Sequence, residues 1–185
     1  HIGSLALIEG ADADLWEQRF AMLADNDVIT SLDPNARPVV VKDKQPYIAR
    51  LLRIMHHARV LKLSDEDLEY LVPDQSLMDA FEHICSQTQA AIIILTKGAE
   101  GAVVRCGSQQ FEVAAAQANP LVDTVGAGDT FMGTLLVEIS KTGLSASELG
   151  TISEVELRRI VTRAAKAAAL NCQSAGCNPP YEQDL

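Results

Sequence analysis

The chain has 185 residues, 48% of them apolar and 22% charged, with eleven glycines and seven prolines; this is the composition of a folded globule with room for one sizeable α/β domain or half of a larger one, and it excludes disordered and collagen-like chains. Fifteen Lys and Arg against 25 Asp and Glu leave a formal charge of -10, which repels polyphosphate chains and anionic lipid headgroups, so neither nucleic acid nor a membrane is an expected partner. The longest apolar run, residues 90–95, is far below the ~20 residues that span a bilayer.

The opening, His1-Ile2-Gly3-Ser4-Leu5-Ala6-Leu7-Ile8, has no initiator Met and no signal-peptide pattern and reads as a strand entered directly, the expectation for a cut made inside a domain. Residues 14–23 place Leu15, Phe20, Ala21 and Met22 around Trp16 at helical spacing, and Asp25-Asn26-Asp27 breaks the pattern. Residues 28–32 read as a strand that ends at Asp33-Pro34-Asn35-Ala36-Arg37-Pro38, where two prolines forbid a continuing ladder. Residues 47–57 carry Ile48, Leu51, Leu52 and Met55 on one helical face, and residues 58–63 follow as a strand. Ser64-Asp65-Glu66-Asp67 is a helix start with a capping side chain and three acids in its first turn, where the helix dipole favours negative charge.

A helix near residues 77–88 precedes the β-branched run 91–95, and Thr96-Lys97-Gly98-Ala99-Glu100-Gly101 turns out of it. Residues 103–105 and 110–113, joined by Gly107-Ser108, read as a hairpin. Strands alternating with helices in this way predict a mostly parallel sheet covered on both faces, with ligands at the carboxyl ends of its strands. Asp123-Thr124-Val125-Gly126-Ala127-Gly128-Asp129 then leads into residues 130–141, apolar but for Glu138 and small hydroxyl residues, a helix expected in the middle of the protein. Residues 155–170 are amphipathic, with Leu157, Ile160, Val161, Ala164, Ala165 and Ala168 on one side and Arg158, Arg159, Arg163 and Lys166 largely on the other. A loop of small residues, 171–180, follows, and no internal repeat is present.

The cysteines at 85, 106, 172 and 177 form no C-x-x-C pair and read as reduced thiols of a cytoplasmic protein. His83 with Cys85, and His56 with His57, lack the spacing of a structural zinc site. No G-x-x-x-x-G-K-[ST] occurs, and Phe131 stands where a dinucleotide fingerprint needs its third glycine. What remains is a glycine-rich turn that delivers a helix N-terminus. Such a turn lets the N–H groups of Gly126, Ala127 and Gly128 approach an anion, with the helix dipole adding positive potential. Asp129 at its mouth is placed to take the proton of an alcohol whose oxygen attacks phosphorus. The competing readings are a helix cap for Asp129 and a plain strand-to-helix connection for the turn.

Residues 123–131, Asp-Thr-Val-Gly-Ala-Gly-Asp-Thr-Phe, resemble the second signature of the ribokinase-like (PfkB) carbohydrate kinases. Thr96-Lys97-Gly98-Ala99-Glu100-Gly101 is similar to the T-x-G-x-x-G nucleotide turn of that family, and Asp33-Pro34-Asn35-Ala36-Arg37 to the D-x-N-x-R of its fructokinase and ketodeoxygluconate kinase branches. Ser4, residues 62–67 and residues 171–180 fall in matching order, so the resemblance covers essentially the whole chain and is closest to a fructokinase. It implies a three-layer α/β/α, mostly parallel, ribokinase-like fold, of which this chain would be the C-terminal, nucleotide-binding part, with the early strands and the sugar lid preceding His1.

The resemblance further implies that Asp129 is the catalytic base and that the amides of Gly126, Ala127 and Gly128 form the anion hole for the γ-phosphate of ATP. Thr96 and Gly98 would lie against the nucleotide, Gly101 would permit the turn, and Asn171 would line the adenine pocket. Asn35 would lie near the phosphate path, and Arg37 would reach an acidic or phosphorylated ligand. The N-x-x-E element of the family is represented by Ser64 to Asp67, where Ser64 is either a nucleotide contact or a helix cap and Asp67 holds a water of Mg²⁺. Asp123 and Val125 match the region where many relatives bind a monovalent cation such as K⁺. The implied activity is transfer of the γ-phosphoryl of ATP to a sugar hydroxyl, most like fructose to fructose 6-phosphate. Ketodeoxygluconate kinase and ribokinase are the rivals within the enzyme class, and a nucleotide-binding fragment without catalysis is the rival outside it. A homodimer of the full-length protein is compatible with the family.

Overall fold

The computed structural model describes residues 1–185. Six strands, β1 (Ile2–Gly3), β2 (Ser31–Asp33), β3 (Val60–Ser64), β4 (Ile92–Thr96), β5 (Ala102–Cys106) and β6 (Gln109–Val113), lie in one sheet in the order of the chain. The first four are parallel, and β5 and β6 add an antiparallel hairpin to β4. The parallel steps are bridged by α1 (Ala11–Asp25), α2 (Lys44–His57) and the pair α3 (Asp65–Leu71) and α4 (Leu77–Gln87). Every step moves to the next strand in the same direction, so right-handed crossovers put all four helices on one face. There Phe20, Leu51, Met55, Leu68 and Phe81 pack against Leu32, Leu61, Leu63, Ile93 and Leu95.

The opposite face would be bare without the two helices that follow the hairpin. Helices α5 (Ala127–Lys141) and α6 (Glu154–Asn171) cover it, setting Phe131, Leu135, Ile139, Leu157 and Ile160 against Val60, Ile92, Ile94 and Val104. Alternate residues of β3 and β4 thus feed two separate cores, and both strands read as almost unbroken apolar runs because both their faces are covered. Three helices start on a serine whose side chain accepts an N–H three residues on: Ser64 from Asp67, Ser76 from Asp79 and Ser153 from Glu156. The three-layer, mostly parallel arrangement expected from the alternation is present.

Three local expectations differ from the structure. The opening run is a strand only at Ile2–Gly3, because Ser4 takes φ 53° and residues 4–7 wind into a tight helical turn, leaving Leu5 exposed. In α1 the buried side chains are Ala13, Phe20 and Ala24, while Leu15, Trp16 and Met22 face out; the small alanines let the helix approach α2 and the opening turn, and that packing overrides the apolar count. Helix α5 is not enclosed all round, since it lies against α6 and the sheet and leaves Val137 at the surface. No helix is long and apolar enough to cross a membrane, and all four cysteines are free.

Candidate functional site

Parallel pairing of β2, β3 and β4 brings the loops after all three strands to one end of the sheet. The loop after β2 is tied to β1 by Ser4 N–H donating to the Pro34 carbonyl at 2.9 Å. Asn35 holds φ 41°, in the left-handed region that Asn tolerates better than most side chains. Arg37 is exposed, donates only to the Ala36 carbonyl at 3.3 Å and makes no ion pair, which leaves its fork open to an oxyanion. After β3, Ser64 and Asp67 close a capping box. The Ser64 hydroxyl accepts from Asp67 N–H at 3.0 Å, and Asp67 Oδ2 receives both the N–H (2.9 Å) and the hydroxyl (2.8 Å) of Ser64. Asp67 Oδ1 accepts Ala36 N–H at 2.8 Å, so this buried carboxylate also ties the loop after β2 to α3.

After β4, the Thr96 hydroxyl donates to the Leu63 carbonyl at 3.2 Å, and the turn closes through Lys97 N–H on the Gly101 carbonyl at 2.8 Å. Gly98 has φ 53° with open space around it, whereas Gly101 has φ 91° and a Cβ there would meet the Val113 carbonyl oxygen at 2.2 Å. Only glycine fits at 101. Lys97 lies 3.4 Å from Glu112.

The glycine-rich turn leads into α5 with Gly126 at the N-cap, φ 77°. A Cβ on Gly126 would lie 2.5 Å from Cys177 Sγ, so the residue is fixed by conformation and by close packing together. Behind the turn, Asp123 Oδ2 accepts Gly176 N–H at 2.8 Å and Oδ1 accepts Val125 N–H at 3.0 Å. Those amides, that of Gly176 foremost, hold the Asp123 carboxyl below its ordinary range. Asn171, fully buried, donates through Nδ2 to the Val125 carbonyl and accepts Asn178 N–H on Oδ1, both at 2.8 Å. Its amide braces the turn against the terminal loop.

The anion cradle differs by one residue from the sequence expectation. Ala127 N–H already donates to the Thr124 carbonyl at 3.1 Å, because the first helical turn tightens there. The N–H groups of Gly126, Gly128 and Asp129 have no protein acceptor. Orphan donors at a helix N-terminus are ready ligands for an anion. The Asp129 side chain is exposed at the mouth and does not cap α5, whose N-cap carries no side-chain bond. The helix-cap reading of Asp129 is thereby removed.

A further pair lies under the cradle. Lys62 shares the face of β3 that Val60 occupies, in register with Ile94, and its Nζ donates to Asp33 Oδ2 at 2.8 Å with both side chains almost wholly buried. The ammonium lies 3.7 Å from where a Cβ on Gly128 would stand. Burial pushes the Asp33 carboxyl up against the pull of Lys62, and the nearby charges of Asp67 and Asp129 add to the rise. Its Oδ1 has no partner. Sequence reading gives neither residue a role, although a lysine inside the apolar run Val60-Leu61-Lys62-Leu63 was the available signal.

No group of three His, Cys, Asp or Glu converges anywhere on a metal-sized space. Of the three residues expected to hold cations, Asp67 and Asp123 have both carboxylate oxygens on protein donors, and the Val125 carbonyl accepts the Asn171 amide. These bonds brace the loops around the turn, and Asp67 Oδ1, both Asp123 oxygens and the Val125 carbonyl keep acceptor capacity beyond them. A cavity of about 580 Å³ between α1 and α2, lined by Asp14, Glu17, Arg53, His56 and His57, lies at the C-terminal end of α2, away from the strand ends that carry the turn, and its Glu17 is already paired with Arg53.

The pfkB family carbohydrate kinase model matches residues 1–184. Fructokinases of Rhizobium leguminosarum bv. trifolii and Escherichia coli are 34% and 35% identical over 85% and 84% of this chain, covering 48% and 49% of their own lengths. The chain thus spans about half the length of these relatives. Among solved structures, a double-mutant fructokinase of Vibrio cholerae O395, in a form with fructose, ADP and potassium ion bound, superposes with a TM-score of 0.81 at 28% identity, over 95% of this chain and 54% of the other. Fold, turn and relatives agree, and the chain, with its ribokinase-like α/β architecture, belongs to the pfkB family of carbohydrate kinases.

Proposed function

We propose that this chain is the nucleotide-binding and catalytic part of an ATP-dependent sugar kinase that phosphorylates fructose. The carrying observation is the pairing of three unengaged N–H groups, those of Gly126, Gly128 and Asp129, with an uncapped carboxylate at the mouth of the same turn. In this reading the terminal phosphoryl group of ATP rests on those N–H groups, in a field made more positive by the α5 dipole. The sugar hydroxyl oxygen attacks phosphorus in line, the bond to the β–γ bridging oxygen breaks, ADP leaves, and the hydroxyl proton passes to Asp129. Thr96, Gly98 and the Gly101 turn supply a backbone surface for the nucleotide, and the loop of Asn35 and Arg37 faces the acceptor. Mg²⁺, when bound with the nucleotide, would screen phosphate charge; its ligands would come from the triphosphate and water.

Fructose as acceptor is supported by the fructokinase relatives at 34% and 35% identity. An acidic sugar such as ketodeoxygluconate is the second reading, favoured by the unpaired Arg37. Asp129→Asn in the whole protein is expected to lower kcat by ~10²–10⁴ with nucleotide affinity nearly intact. An unchanged kcat removes Asp129 from the mechanism. A panel of fructose, ribose and ketodeoxygluconate assigns the acceptor: the highest kcat/KM on fructose supports the first reading, and the highest on ketodeoxygluconate the second. An intact protein that binds ATP and phosphorylates none of them would be a nucleotide-binding module.

A further inference from the structure

We infer that Lys62, held in place by Asp33, is the fixed cation of the anion turn, a direct ligand of the phosphate received by the N–H groups of Gly126, Gly128 and Asp129. This assignment rests on the phosphoryl-transfer reading of the turn and adds to it a residue from a different element. Three observations carry it. Lys62 has three N–H donors and gives one, to Asp33 Oδ2. The remaining donors belong to an ammonium 3.7 Å from the Cβ position of Gly128, one of the residues with an unengaged N–H. And the pair occupies places where the fold by itself would favour apolar side chains: Val60, Ile92 and Ile94 surround Lys62 on that face and pack under α5.

A buried ion pair is poor value as a structural device, since desolvating both charges offsets most of their attraction and an apolar pair of similar volume would hold the sheet as well. The local charge explains its use. Asp67 and Asp129 each lie near enough to Asp33 to raise its proton affinity. A triphosphate entering that field meets net repulsion unless a cation lies beside the backbone donors. Lys62 is that cation, and Asp33 is a positioning residue that keeps the ammonium at the floor of the turn before ligand arrives.

The test is binding of inorganic tripolyphosphate and, separately, of adenosine to the intact protein. Wild type should bind both. Lys62→Met should lose roughly 10- to 100-fold in tripolyphosphate affinity, the range of a charge-assisted hydrogen bond, with adenosine unchanged, a split that a purely structural role would not produce. Because the single change leaves Asp33 buried and unpaired, the double variant Lys62→Met with Asp33→Leu, which removes both charges, serves as the folded control and should show the same loss. Asp33→Asn should weaken tripolyphosphate severalfold; tighter binding would show that Asp33 merely cancels charge and would overturn its positioning role. A folded double variant with wild-type tripolyphosphate affinity overturns the assignment of Lys62 and leaves the kinase reading standing. Wild type that binds neither probe overturns the kinase reading, and this assignment with it.

Discussion

At residue scale the two glycines of the turn after β4 separate conformation from contact. Gly98 and Gly101 both have positive φ, but only at Gly101 would a methyl group collide with backbone, the Val113 carbonyl oxygen at 2.2 Å. Gly98→Ala should therefore cost about 1–2 kcal/mol, the strain of a left-handed alanine. Gly101→Ala should exceed it, because β6 must move as well, and urea unfolding of the two variants measures the difference. Equal costs would mean that the turn relaxes without disturbing the hairpin. Gly126 belongs with Gly101, since its missing Cβ is what lets Cys177 close over the back of the turn. Asp129 and Lys62 are the converse case, polar groups left with donor or acceptor capacity that the protein itself does not use.

Elements matter through what they hold still. Helix α5 presents the turn, and its far half is fixed by Glu138, a buried carboxylate 2.8 Å from Lys141, 2.9 Å from Arg159 and 3.3 Å from Arg163. Hydrogen bonding from Lys141, opposed by burial and reinforced by Arg159, holds the Glu138 carboxyl below its ordinary range. A depressed folded-state value means that its contribution is present above the unfolded pKa of about 4.3 and is lost as pH falls through the folded value. Thermal unfolding of wild type and Glu138→Gln as a function of pH should show a gap of roughly 1–3 kcal/mol at pH 7 that narrows as pH falls below the unfolded value. A gap independent of pH would place the effect of the substitution in packing and not in charge. At α3 the capping box does comparable work, because the carboxylate that caps the helix also anchors the loop carrying Asn35 and Arg37.

For the whole molecule, the decisive feature is that one direction of strand progression sends α1 through α4 to a single face. The second face and the anion turn then depend on the same two helices, so the core under α5 and the site at its N-terminus share one element. The outer side of α1 leaves apolar area uncovered, with Leu15, Trp16 and Met22 all substantially exposed. Trp16 is the single tryptophan, 49% exposed, so its emission should be red-shifted and readily quenched by iodide in the native protein. A blue-shifted, quench-resistant emission would show that α1 turns a different face to α2.

Much of this was readable without coordinates. The alternation of strand and helix, the hairpin, the Ser64 cap and the glycine-rich turn with Asp129 follow from local chemistry, since period, breaker residues and capping side chains act within a few positions of themselves. Residues 123–131 were legible as a kinase signature through their resemblance to that of the family, which is carried by contiguous residues. Other features depend on partners distant along the chain. Which side of α1 is buried was set by α2 and the opening turn; the loss of Ala127 from the cradle by a hydrogen bond within the folded turn; the bracing bonds of Asn171 and Asp123 by the terminal loop. The pairing of Lys62 with Asp33 beneath Gly128 joins three segments through the sheet, and only parallel register and the docking of α5 bring those side chains within reach of one another.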